Sequence, residues 1–111
     1  MPFEFGQVVL VPFPFTSQTA SKQRPAVVVC SRAYAIERPD IVLMAITSQL
    51  RPTPSFGETW LRYWQSAGLL KPSAIKPVIA TLEQRLVIKT LGVLHGEDQA
   101  DLRQTIRQMI A

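Results

Sequence analysis

Lys22-Gln23-Arg24-Pro25-Ala26-Val27-Val28-Val29-Cys30 decides the reading of this chain. Five apolar residues in a row, rich in valine, have no 3.6-residue period and read as a buried strand. Proline removes a backbone donor and disfavours helix just before it, so Arg24 is fixed at the mouth of that strand. A second apolar run, Ile41 to Ile46, closes in the same manner on polar residues, Thr47-Ser48-Gln49. If the two runs are neighbouring strands, a guanidinium and a hydroxyl meet at one end of a sheet. That pair suits a phosphodiester, because arginine offers a rigid fork of donors and threonine adds one more hydrogen bond.

Outward from this centre the chain punctuates itself clearly. Val8 to Val11 is a short β-branched strand, and Pro12 and Pro14, alternating with Phe13 and Phe15, send it out of its sheet or along an edge. Thr16 to Gln23 is a polar loop without glycine, and Arg32 to Asp40 a polar connection. Leu50 to Gly57 holds two prolines and a glycine, which forbid regular structure. Trp60, Leu61 and Trp64 stand at helical spacing before Gly68, which predicts a short helical turn. Ile75 to Leu82 and Leu86 to Leu94 are further strands, split near Glu83-Gln84-Arg85.

Glu97 to Ile110 places Leu102, Ile106, Met109 and Ile110 on one helical face, with Glu97, Asp98 and Asp101 early and Arg103 and Arg107 later. The expectation is a mainly β protein of about five strands with a C-terminal helix. Without crossover helices the strands must be antiparallel, in a partly closed barrel.

The 111 residues leave room for one domain, 1–111, and one core. A hydrophobic fraction of 47% argues against disorder, and a net charge of +4 favours an anionic partner, nucleic acid first. The one cysteine, Cys30, fits a reducing compartment and a buried thiol. No apolar run is long enough for a membrane span, and Met1-Pro2-Phe3-Glu4 lacks the marks of a signal peptide. The expected setting is therefore the cytoplasm, with no membrane partner. No histidine, cysteine and carboxylate cluster has metal-ligand spacing, so neither a metal nor a cofactor is expected.

Read in order, the motifs resemble the MazF/PemK family of toxin endoribonucleases. The matching pieces are Gly6-Gln7-Val8-Val9, Phe13-Pro14-Phe15, Lys22-Gln23-Arg24-Pro25-Ala26-Val27-Val28, Ile46-Thr47-Ser48, Ala67-Gly68-Leu69-Leu70-Lys71-Pro72-Ser73 and Leu91-Gly92-Val93-Leu94. Together they span nearly the whole chain in the family's order. The resemblance implies a small SH3-like antiparallel barrel of the CcdB/MazF/PemK type, usually a homodimer. It also implies metal-independent, sequence-selective cleavage of single-stranded RNA, the toxin half of a type II toxin–antitoxin pair whose growth inhibition is blocked by the acidic tail of a cognate antitoxin. The family's catalytic positions fall on Arg24 and Thr47, the two residues the bare sequence singles out. Many relatives carry a glycine in the loop before Arg-Pro, so the glycine-free Thr16 to Gln23 implies no particular cleavage sequence.

Further RNA-binding candidates are Lys22, Ser48, Gln49, Arg51 and Lys71, each equally readable as loop solvation or a turn. Phe56, Trp60, Tyr63 and Trp64 offer stacking surfaces beside Arg51 and Arg62, or else core and interface packing. His95, next to Gly96 and the final helix, reads better as a cap than as a general acid. Two other functions share the barrel. A CcdB-like gyrase poison acts through the end of the last helix, where this chain has Gln108-Met109-Ile110-Ala111 and lacks an aromatic-plus-glycine ending. An inactive relative would bind nucleic acid or antitoxin only.

Overall fold

Alternation of buried valines and isoleucines along each strand builds the fold. The structure, a computed structural model, describes residues 2–13 and 22–111. Six strands are described: β1 Gln7–Phe13, β2 Lys22–Val28, β3 Asp40–Thr47, β4 Thr59–Trp60, β5 Ala74–Glu83 and β6 Lys89–Val93. They form one sheet in the order β4-β5-β3-β2-β1-β6, every pairing antiparallel, curled into a half-barrel. Among the described residues there are also two helices, α1 Arg32–Glu37 and α2 Gly96–Met109, and a 3₁₀ turn at Gln84–Leu86.

Where length alone implied one core, the sheet makes two. Val8, Val27, Met44, Ile46 and Ile75 pack on one face against Leu102 of α2. Val9, Val11, Ala26, Val28, Ile41 and Leu43 pack on the other, beside Ala35 of α1. Neighbours in sequence fall into opposite clusters because successive strand side chains point to opposite faces. Leu102 is fully buried, whereas Ile110, expected on the same apolar stripe, is half exposed past the helix end.

Several expectations shift. Lys22 and Gln23 belong to β2, paired with Phe13 and Pro12, rather than to the preceding loop. Thr16 to Ser21 of that loop, with Pro14 and Phe15, lie outside the described residues. The connection Arg32 to Asp40 contains α1, whose N-terminus is capped by Ser31 Oγ accepting from Tyr34 N at 3.1 Å. Six residues with Ala35 alone buried show no period to read.

The helical turn expected over Trp60 to Trp64 is absent. Trp60 ends β4, and the backbone amides of Arg62 and Tyr63 both donate to the buried Asp98 carboxylate, at 3.0 Å each. A partner from α2 thus takes the donors a helix would use, and the chain turns only at Trp64, whose carbonyl accepts from Ala67 N and Leu69 N. β4 is the sixth strand, two residues long and too short to see in the sequence.

Candidate active site

β2 and β3 part where the polar residues begin. Their ladder runs Val28–Leu43, Val27–Met44 and Ala26–Ala45. Beyond it, β2 stays paired with β1 as far as Lys22–Phe13, and β3 with β5 as far as Thr47–Ala74. Arg24 and Thr47 are therefore each held from the outer side, and no ladder pair joins them. The notch between them opens into a cleft of about 630 Å³.

That cleft brings together Arg24, Thr47, Ser48, Gln49 and Lys71, five of the residues the sequence nominated. Lys22 and Arg51 are exposed and do not line it. Arg51 instead donates to Ser55 Oγ at 3.1 Å. Sequence reasoning missed Phe13, Lys76 and Lys89, all of which line the cleft. Only strand order reveals them. Lys76 sits between Ile75 and Pro77 like any alternating strand residue, and Lys89 reaches the site because its partner across β6–β1 is Leu10.

The cleft is cationic: Arg24, Lys71, Lys76 and Lys89 face it, and no lining residue is a carboxylate. Arg24 is exposed, has no ion-pair partner among the described residues, and lies with its guanidinium carbon 6.0 Å from the centre of the Phe13 ring. Thr47 Oγ1 accepts a hydrogen bond from Gln49 N at 3.1 Å. That bond fixes the hydroxyl oxygen and leaves its proton to donate to a ligand oxygen.

Two glycines shape the far wall. Gly68 has φ of +83°, and a Cβ there would lie 2.2 Å from the Leu91 carbonyl oxygen; one on Gly92 would lie 2.7 Å from Ala67 backbone. Leu91 is the extra residue where the β1–β6 register slips between Val8–Gly92 and Val9–Thr90. The loop thus seats on this bulge by bare backbone contact, and that seat sets Leu69, Leu70 and Lys71 along the cleft.

The other singled-out residues have structural partners. His95 is the N-cap of α2, its Nδ1 accepting from Glu97 N at 3.1 Å, and its ring stacks on Tyr63 at 3.9 Å. Arg62 is bound by Asp101 at 2.7 Å and Glu97 at 3.6 Å. Its guanidinium pKa is raised, chiefly by the hydrogen bond to Asp101. The hydrogen bond to Glu97 likewise raises that of the Tyr63 phenol. Trp64 packs against the core, and Phe56 is 77% exposed. Cys30 is buried. It lines a separate apolar depression of about 320 Å³ with Val42, Met44, Ile79, Ile106 and Ile110. Among the described residues no group of His, Cys, Asp or Glu is placed to hold a metal ion, and no helix is long and apolar enough to cross a membrane.

A family model described as PemK-like, MazF-like toxin of type II toxin-antitoxin system matches residues 4–110. The chain belongs to this toxin family. Solved MazF-type structures share the fold. An endoribonuclease in complex with its cognate antitoxin from a Mycobacterial species superposes with a TM-score of 0.77 at 15% identity, covering 96% of this chain and 92% of that one. MazE-MazF from Deinococcus radiodurans gives 0.77 at 20% identity, covering 99% and 97%. The Mycobacterium tuberculosis toxin MazF-mt6 gives 0.73 at 16%, covering 92% and 93%. No curated protein sequence matches at a significant level. At identities this low the MazF-type structures speak for the fold, and the family assignment rests on the sequence match.

Proposed function

We propose that this MazF-like toxin is a sequence-selective endoribonuclease that cuts single-stranded RNA, mRNA in the cell, without a metal. The observation that carries the reading is the meeting of Arg24 and Thr47 in a cationic cleft free of carboxylates. In the reaction the ribose 2′-oxygen forms a bond to its adjacent phosphorus and loses its proton. The bond from phosphorus to the 5′-oxygen breaks, and that oxygen gains a proton. The products are a 2′,3′-cyclic phosphate and a 5′-hydroxyl.

The nucleophile belongs to the substrate, so the protein need only align the 2′-oxygen and stabilise charge on the phosphoryl oxygens. Arg24 supplies that charge stabilisation. Guanidinium stays protonated at working pH, so its role is electrostatic rather than proton donation. Thr47 holds a non-bridging oxygen or orients the 2′-hydroxyl, and Ser48, Gln49 and Lys71 contact the strand beside it.

The family and its MazE-MazF structures support a cognate antitoxin as protein partner. An acidic, unfolded tail laid in the same cationic cleft would exclude RNA. The match over residues 4–110 supports reading 1–111 as one toxin domain; that it acts in the cytoplasm as a homodimer is part of the same proposal. Incubation of the purified protein with long single-stranded RNA and EDTA, beside Arg24→Ala, tests the reading. Discrete cuts with cyclic phosphate ends, absent with the variant, are expected. Intact RNA, or cutting that needs added Mg²⁺, would overturn it.

A further inference from the structure

The cleft crosses the sheet in strand order. Lys76 stands on β5, Thr47 on β3, Arg24 on β2, Leu10 and Phe13 on β1, and Lys89 on β6, all lining one depression. Cations thus stand at both ends, with the Arg24–Thr47 pair between them. Paired strands lie about 4.8 Å apart, so four spacings amount to roughly 19 Å measured along the curled sheet, and less straight across the cleft. That span exceeds what a single phosphate group fills.

The β5 end lies at an irregularity of the sheet, and the β6 end on a regular edge pair. Between the pairs Met44–Ile79 and Ile46–Ile75, β5 spends two more residues than β3. The surplus surrounds Pro77, which has no backbone donor and is tolerated where the ladder is interrupted. Lys76 and Val78, on either side of Pro77, both line the cleft. Lys89 opens β6, paired to Leu10, at the edge strand of the sheet. Neither lysine has an ion-pair partner among the described residues, so each ammonium is available to an external anion.

We propose that Lys76 and Lys89 each hold a phosphate flanking the scissile one, so that the RNA strand crosses the sheet from β5 to β6 with its reactive phosphate at Arg24 and Thr47. Both are positioning residues. This assignment rests on the endoribonuclease reading and adds to it the path of the substrate and a division of labour. Lysine is a point charge on a flexible stem, suited to capturing a backbone phosphate without reading sequence, whereas the rigid fork of Arg24 suits the reacting group.

The test uses a short RNA carrying one mapped cut site, in native form and with either flanking phosphate replaced by a neutral methylphosphonate. Wild type, Lys76→Met and Lys89→Met are compared, the methionine keeping the apolar stem. Each variant should raise KM several-fold at unchanged kcat. Each should also lessen the salt dependence of RNA binding by about 0.7 in the log–log slope, the change expected when the protein neutralises one phosphate fewer on a single strand. Neutralising the phosphate that a lysine holds should weaken wild type and have no further effect on the matching variant, while the other phosphate still matters.

Lys76→Arg and Lys89→Arg should restore KM, which separates charge from folding damage. If wild type cuts the RNA and all three proteins share one KM and one salt slope, this inference falls and the endoribonuclease reading stands. A fall in kcat at constant KM would also overturn it. RNA left intact by wild type would instead overturn the parent reading.

Discussion

Arg24 and Thr47 line one cleft just past the last β2–β3 pair. Continued two residues past its last pair, Ala26–Ala45, the β2–β3 register sets them opposite one another, and strand alternation gives them the same sheet face. Because the ladder has ended there, the space between them belongs to the cleft rather than to a backbone hydrogen bond. Thr47 Oγ1 is fixed by Gln49 N and keeps its proton to donate, while Arg24 lies against Phe13 with no ion-pair partner among the described residues.

From this geometry, Arg24→Ala and Thr47→Val should each slow cleavage on the order of a hundredfold or more, the usual effect of losing one pre-organised donor. Arg24→Lys should not restore the rate, since a point charge cannot replace a two-pronged donor. Because Arg24 is exposed, its variants should melt with wild type. Single-turnover cleavage alongside thermal unfolding checks both statements.

Gly68→Ala forces a Cβ to within 2.2 Å of the Leu91 carbonyl at a positive φ. A stability loss of about 1–3 kcal/mol is expected, in the range for a residue forced into disfavoured backbone. Lys71 and the cleft wall should shift with the loop, so cleavage should weaken as well. Urea unfolding and KM measured on one preparation separate the two effects.

Asp98→Ala leaves the Arg62 and Tyr63 amides without the carboxylate that accepts from both. Unsatisfied donors at a partly buried site cost about 1–3 kcal/mol each. With two such donors, denaturant unfolding should show a loss of about 2–6 kcal/mol. Asp98→Asn, which keeps one acceptor oxygen, should lose less.

His95→Ala should lower stability by about 0.5–2 kcal/mol through loss of the α2 cap. Cleavage rates should not change, since His95 does not line the cleft. A rate that collapsed while the fold held would argue instead for His95 as a general acid.

The hydrogen bond from Arg38 to Asp40, 3.2 Å long, holds the Asp40 carboxyl below its ordinary range. A depressed folded-state pKa contributes stability that is present above the unfolded value, about 3.9, and lost as pH falls through the folded value. Asp40→Asn should therefore narrow the gap between stability at neutral pH and near pH 3, read from melting temperatures. The pair is exposed, so the effect should be small.

What the sequence determined by itself is what depends on neighbours along the chain. β1, β2, β3, β5, β6 and α2 were legible because apolar periodicity is local, though their ends moved by a few residues. Arg24 and Thr47 stood out because polar residues that abruptly end buried strands mark one end of a sheet, and the structure places both on the same cleft. Long-range contacts decided the rest. The amides of Arg62 and Tyr63 went to Asp98, some 35 residues away, and cancelled a turn that spacing alone predicted. α1 stands on a serine cap and one buried alanine, too little apolar pattern to see. Lys76 and Lys89 joined the cleft only because the strand order β5-β3-β2-β1-β6 puts their strands on either side of Arg24 and Thr47. Strand order is set by which apolar faces bury best together, a property of the whole sheet that no single window of sequence contains.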